Sequence, residues 1–224
     1  MSLKTCETAY GNMTVYGKDE YIGRSIYNYG EWSGLECDKL LELSKGGVFV
    51  DCGANVGYMS LALSTKASKV VAFEPQPTIF ELLKANVPSA EAYCMALYCS
   101  DGVAKMPRIR YGDKGNYGGV GFGRSELGFI NVPLVMLDSF GLTDVDLIKI
   151  DVEGAEQDVI EGAIDTIERC SPILYVEDDR EDKSADLRKL IRGLGYNIEE
   201  HNPPMFRQNN YKGLQRNIWD KHYI

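Results

Sequence analysis

The sequence predicts an α/β fold, a mostly parallel sheet with helices on both faces. Three observations predict it. Four short apolar runs, "GVFVD" (47–51), "KVVAFE" (69–74), "VDLIKID" (145–151) and "PILYVE" (172–177), have the length and β-branched content of strands buried on both faces. Stretches of helical pattern separate them, the alternation that builds a parallel sheet. The chain has 224 residues, 44% of them apolar, enough for one well-buried domain.

The elements follow in order. After 47–51, "VGYMSLALSTKA" reads as a helix. The strand 69–74 leads into "PTIFELLKANV", a second helix with proline in its first turn. "AEAYCMALYCS" (90–100) is a third strand, and "AKMPRIRY" and "FINVPLVMLDSF" are additional strands around a glycine-rich stretch, 112–128. That stretch is long for an irregular connection, which suggests a binding loop. The strand 145–151 precedes "VEGAEQDVIEGAIDTIERC", read as one helix despite its two glycines. The strand 172–177, the helix "SADLRKLIRGLG" and a last core strand "YNIEE" follow, and 202–224 reads as an irregular tail.

Composition narrows the function. A net charge of −9 argues against a nucleic-acid or anionic-membrane partner. There is no apolar run long enough for a membrane span, and "MSLKTCETAY" lacks the apolar core of a secretory signal. The six cysteines include no C-x-x-C pair, so reduced thiols in a cytoplasmic protein are expected. With only two histidines, a His/Cys zinc site is not expected.

The turn "DCGANVG" (51–57) carries the first functional signal. It lacks the G-x-G-x-x-G spacing of dinucleotide sites and the lysine of a phosphate-binding loop. An acid at the strand end, Asp51, would repel a pyrophosphate and favour a cation. S-adenosylmethionine fits that sign, carrying an ammonium, a sulfonium and no phosphate. Gly53 and Gly57 would let backbone approach it, and the helix start would take its carboxylate. Glu74 lies 21 residues after Gly53 at the end of the next strand, where an acid accepts ribose hydroxyls.

Three blocks in this order, "VDCGANVGYMSLAL", "VVAFEPQPTIFELLKANV" and "DLIKIDVEGAEQDVIEGA", resemble the FkbM-type methyltransferases, and "SIYNYGEWSGLE" (25–36) and "GNYGG" (115–119) look like further family blocks. The resemblance runs from about residue 20 to 200. It implies a class I, Rossmann-like methyltransferase fold with a seven-stranded sheet, S-adenosylmethionine as cofactor, S-adenosylhomocysteine as product, and methyl transfer to an oxygen, often a hydroxyl on a sugar, glycan or natural product. Residue by residue it implies cofactor contacts from Asp51, Gly53, Asn55, Gly57, Glu74 and Pro75, with Ala96 and Leu97 edging the adenine. Residues 1–45 are then a cover segment of one domain whose methyltransferase part is 46–224.

The third block also holds the candidate chemistry. Lys149 and Asp151 share one strand face. A buried lysine needs a partner, and Asp51 and Glu177 are candidates. Asp151 sits at the strand's carboxyl end, where it would orient or deprotonate an acceptor hydroxyl, with Glu153 and Glu177 assisting. Asp151, Glu177 and Asp178 could hold a divalent metal, though none is required. Glu156 at the next helix start has a simpler reading, favourable interaction with the helix dipole. Asn116 and Tyr117 are candidate cofactor or acceptor contacts, and Tyr29, Glu31 and Trp32 a candidate acceptor wall. The competing readings are a nucleic-acid methyltransferase, a non-catalytic S-adenosylmethionine-binding module, and an NAD-dependent oxidoreductase, whose glycine fingerprint is absent.

Overall fold

The computed structural model describes residues 2–123, 125–204, 206 and 222–223. The chain opens with an antiparallel hairpin, β1 (Leu3–Thr8) and β2 (Gly11–Tyr16), followed by helices α1 (Ile22–Tyr29) and α2 (Gly34–Leu43). Then come β3 (Val48–Cys52), α3 (Tyr58–Leu63), β4 (Lys69–Phe73), α4 (Pro77–Asn86) and β5 (Glu91–Tyr93). β6 (Ala96–Leu97), β7 (Gly102–Pro107) and β8 (Phe129–Val135) form a separate three-stranded sheet. β9 (Val145–Ile150), α5 (Glu156–Glu161), α6 (Ile164–Cys170), β10 (Ile173–Glu177), α7 (Glu181–Gly193), β11 (Glu200–His201) and β12 (His222–Tyr223) complete the order.

The main sheet has seven strands in the order β11-β12-β10-β9-β3-β4-β5. The run from β10 to β5 is parallel; β12 is antiparallel to both its neighbours. The sheet is therefore mixed, with one antiparallel strand, β12, lying between β10 and the edge strand β11.

Its centre is β3, buried at every residue. Phe49 points into one apolar cluster with Ile26, Leu40, Leu63 and Leu83, which covers that face with α1–α4. Val48, Val50 and Cys52 point into the other, with Ile160, Ile167 and Leu187 from α5–α7. Continuous apolar strands rather than alternating ones follow from this double coverage.

Several expectations are corrected. The single strand over 90–100 is two, because the chain leaves the main sheet between β5 and β6. The long helix after β9 breaks into α5 and α6 at Gly162, which lies so close to Tyr98 that a Cβ there would stand 2.0 Å from its carbonyl oxygen. The strand over 196–200 shrinks to β11 at its end. Most of the tail 202–224 lies outside the described residues, and 222–223 forms β12.

The N-terminal elements are tied to the sheet layer by Asn86. Its Oδ1 accepts from the Thr14 N–H at 2.8 Å, and its Nδ2 donates to the carbonyls of Thr14 (3.0 Å) and Val56 (2.8 Å). This cover and the glycine-rich segment are clipped together by a parallel bridge between Asp19 and Gly115.

Candidate active site

A cleft of about 400 Å³ opens at the carboxyl ends of β3, β4, β9 and β10, a size suited to a nucleoside ligand. Its floor is the turn after β3. Gly53 has φ +80°, and a Cβ on it would lie 1.9 Å from the Asp151 carbonyl oxygen. Only glycine lets the turns after β3 and β9 meet here. Asn55, at φ 50°, follows in the left-handed region, where asparagine is tolerated.

Glu74 ends β4 on the cleft wall and is buried. Its Oε2 accepts from the Asn55 N–H at 3.0 Å and its Oε1 from the Gln76 N–H at 2.8 Å. A carboxylate oxygen has two acceptor positions, so each retains one. Burial pushes the Glu74 carboxyl up to about 7, against the pull of the two backbone N–H groups. Pro75, Met95, Ala96 and Leu97 line the neighbouring wall.

Asp51 does not reach the cleft lining. It is fully buried, with Ser60 Oγ donating to its Oδ2 at 2.6 Å and Lys149 Nζ 3.3 Å from its Oδ1. Gly57 also stays out of the lining; a Cβ there would press on Leu83 and Val87 at 2.8 Å, so its role is packing of the turn on α4.

Lys149 lines the cleft and donates to the Gly53 carbonyl at 2.9 Å, with Asp151 Oδ2 at 3.4 Å. Burial alone would lower the lysine, but Asp151 and Asp51 outweigh it and hold the ammonium above the ordinary range. It pairs with the expected Asp51, at the paired position of β3, and also with Asp151; Glu177 ends the neighbouring strand β10.

Asp151, Glu153, Glu177, Asp179 and Arg180 line the cleft beyond β9 and β10. Glu153, Glu177 and Asp179 bring carboxylate oxygens within 4.8 Å of one another. Arg180 supplies countercharge, its Nη2 2.7 Å from Glu153 and its Nε 3.1 Å from Asp179. Burial raises the Asp179 carboxyl. Asp178 points away, accepting from Ser184 Oγ at 2.6 Å and Arg188 Nε at 3.0 Å, so the acidic group is Glu153, Glu177 and Asp179 in place of the expected Asp151, Glu177 and Asp178. Glu156 accepts from the N–H groups of Val152 and Gly154 and orders the start of α5.

The roof comes from the cover and the glycine-rich segment. Trp32, Asn116 and Tyr117 line the cleft; Tyr29 and Glu31 do not. Asn116 Oδ1 accepts from the Gly118 and Gly119 N–H groups. Gly121 passes so close to Glu153 that a Cβ would stand 2.2 Å from its carbonyl oxygen. Tyr16, Tyr111 and Tyr117 pack ring against ring beneath, and the Tyr111 hydroxyl reaches Gln76 Oε1 at 3.4 Å. Gln76, Glu36 and Asp179 are lining residues that the sequence reading missed. Gln76 stands two residues past Glu74 and Asp179 in the acidic run after β10; for Glu36 only its place in the 25–36 block was a signal.

The sheet order and the cleft define the class, a Rossmann-like class I methyltransferase fold. A methyltransferase FkbM from Methylobacillus flagellatus KT superposes with a TM-score of 0.55 at 16% identity, covering 93% of this chain and 48% of that one. A precorrin-6y C5,15-methyltransferase from Geobacter metallireducens GS-15 gives 0.53 at 12% identity, covering 85% and 84%. Residues 51–198 match the methyltransferase FkbM domain, and the chain belongs to that family. Methyltransferase sdnD of Sordaria araneosa is 27% identical over 165 residues, 56% of this chain and 64% of that protein. The chain thus spans less than two thirds of that relative and about half of the Methylobacillus protein. Among the described residues no helix is long and apolar enough to cross a membrane.

Proposed function

We propose that the chain is an S-adenosylmethionine-dependent O-methyltransferase acting on a hydroxyl of a sugar, glycan or related small molecule. The observation that carries this is Glu74. Its carboxylate is fixed at the cleft wall by two backbone N–H groups and keeps acceptor positions suited to ribose hydroxyls. Gly53, Asn55 and Pro75 supply backbone beside it, and Ala96 and Leu97 a flat apolar edge suited to adenine.

S-adenosylmethionine, when bound, supplies an electrophilic methyl group. The protein's part is to align an acceptor oxygen with that methyl and take its proton. Asp151 is assigned this role, since it lies between the cofactor turn and the acidic acceptor end. Glu153 and Glu177 would bind further hydroxyls, and Trp32 would offer an apolar face to a sugar ring. Nothing in this reading calls for a metal. The acidic lining and the net charge of −9 favour a small neutral acceptor over a nucleic acid.

The test is transfer of labelled methyl groups to a panel of glycans, hydroxylated natural products and RNA. Transfer to a hydroxyl in the first two groups is expected. Transfer to RNA alone would overturn the acceptor assignment, and failure to bind S-adenosylhomocysteine by calorimetry would overturn the cofactor.

A further inference from the structure

Lys149 is buried in the middle of an apolar sheet, a position that costs stability unless its charge is answered. A structural ion pair would be complete with Asp51 alone, directly across the register. The ammonium instead stands among three oxygens, donating to the Gly53 carbonyl and ion-paired with two carboxylates. These are the Gly53 carbonyl at 2.9 Å, Asp51 Oδ1 at 3.3 Å and Asp151 Oδ2 at 3.4 Å. Asp51 is in turn held by Ser60, so the ammonium is anchored from behind.

The other two oxygens belong to different halves of the cleft. Gly53 is in the turn assigned to the cofactor, and Asp151 is the carboxylate assigned to the acceptor. The same turns touch twice more: the Asp151 N–H donates to the Cys52 carbonyl at 3.2 Å, and Gly53 packs on the Asp151 carbonyl with no room for a side chain.

We propose that Lys149 is a positioning residue that fixes the cofactor turn and the acceptor-facing carboxylate to each other through one ammonium. Paired with two carboxylates, Lys149 orients groups and does not carry the transferred proton. Asp51 is part of the same device: it holds the clamp rather than the ligand. This rests on the reading of the Gly53 turn as the cofactor site.

The experiment uses the full chain. Lys149→Met alone would leave Asp51 buried without its cation, so the variant is the double change Asp51→Asn with Lys149→Met, checked for folding by thermal denaturation. Loss of the charge-assisted bond to Gly53 should weaken S-adenosylhomocysteine binding at least about tenfold in calorimetry. A folded double variant with unchanged affinity overturns the proposal. Nitrogen-15 spectra of the unmodified protein decide independently if the variant does not fold. The Lys149 Nζ resonance should be protected from exchange and should shift both on adding S-adenosylhomocysteine and on Asp151→Asn. A signal indifferent to either change also overturns the clamp. An unmodified protein that does not bind S-adenosylhomocysteine would instead defeat the cofactor reading, and the two failures are thereby distinct.

Discussion

The backbone N–H of Asn55 donates to Oε2 of Glu74 over 3.0 Å, joining the turn after β3 to the end of β4. Two segments that line the cleft are thus registered to each other. Burial also favours protonation of the carboxylate at that junction.

The first prediction is a pH dependence. Burial raises the Glu74 carboxyl from 4.5 to about 7, so the native state holds a proton that the unfolded chain has released in that interval. Stability from this group is present at acidic pH and is lost as pH rises through the window, by about 3 kcal/mol in all. Glu74→Gln should flatten that decline in thermal denaturation between pH 4.5 and about 7, the window set by the two values. Ligand binding should run the other way. Ribose hydroxyls need the ionised carboxylate, so S-adenosylhomocysteine should bind more tightly above pH 7 with release of a proton, seen as a buffer-dependent enthalpy. Glu74→Ala should cost about 1.5–3 kcal/mol of affinity for each charge-assisted bond lost.

The second concerns two glycines. Gly53→Ala would drive a Cβ to 1.9 Å from the Asp151 carbonyl and should destabilise the whole fold by several kcal/mol, roughly the scale of overpacking combined with backbone strain. Gly121→Ala would meet Glu153 at 2.2 Å, but in a surface segment. It should displace that segment, leaving the melting temperature nearly unchanged while ligand affinity falls.

The third concerns proton removal. Asp151→Asn should retain cofactor binding and lose about 10²–10⁴ in turnover, the usual worth of general-base assistance. Turnover within a few-fold of the unmodified protein would remove Asp151 from that role.

The fourth separates neighbours. Asp178 serves α7 through Ser184 and Arg188, so Asp178→Ala should lower stability by about 1–3 kcal/mol and leave cofactor affinity intact. Asp179 lines the cleft, so Asp179→Asn should instead raise the KM for the acceptor with little change in the melting temperature.

The parallel core was legible because strands buried on both faces are written as predominantly apolar runs, as β3, β4, β9 and β10 are, with Asp51 and Lys149 the charged pair inside them. The break between β5 and β6 was not, since residues 90–100 keep the same composition while the chain changes sheets. Gly53 was legible as a position requiring glycine, but the obstacle that the Asp151 backbone presents to a side chain there was not. Asp51 looked like a ligand contact because a strand-end acid points either into the cleft or into a neighbouring strand, and only the pairing with Lys149 decides. Gln76 and Asp179 depend on contacts between segments far apart in the chain, which periodicity cannot carry.

Asp19 joins the two halves of the roof. This one buried carboxylate accepts the N–H groups of Tyr21 and Gly23 from the cover and of Tyr117 from the glycine-rich segment. Displacing either segment alone would leave this carboxylate buried with an N–H partner lost, so the two segments are energetically coupled. A substitution at Asp19 would therefore loosen both at once, from a position outside the cleft lining.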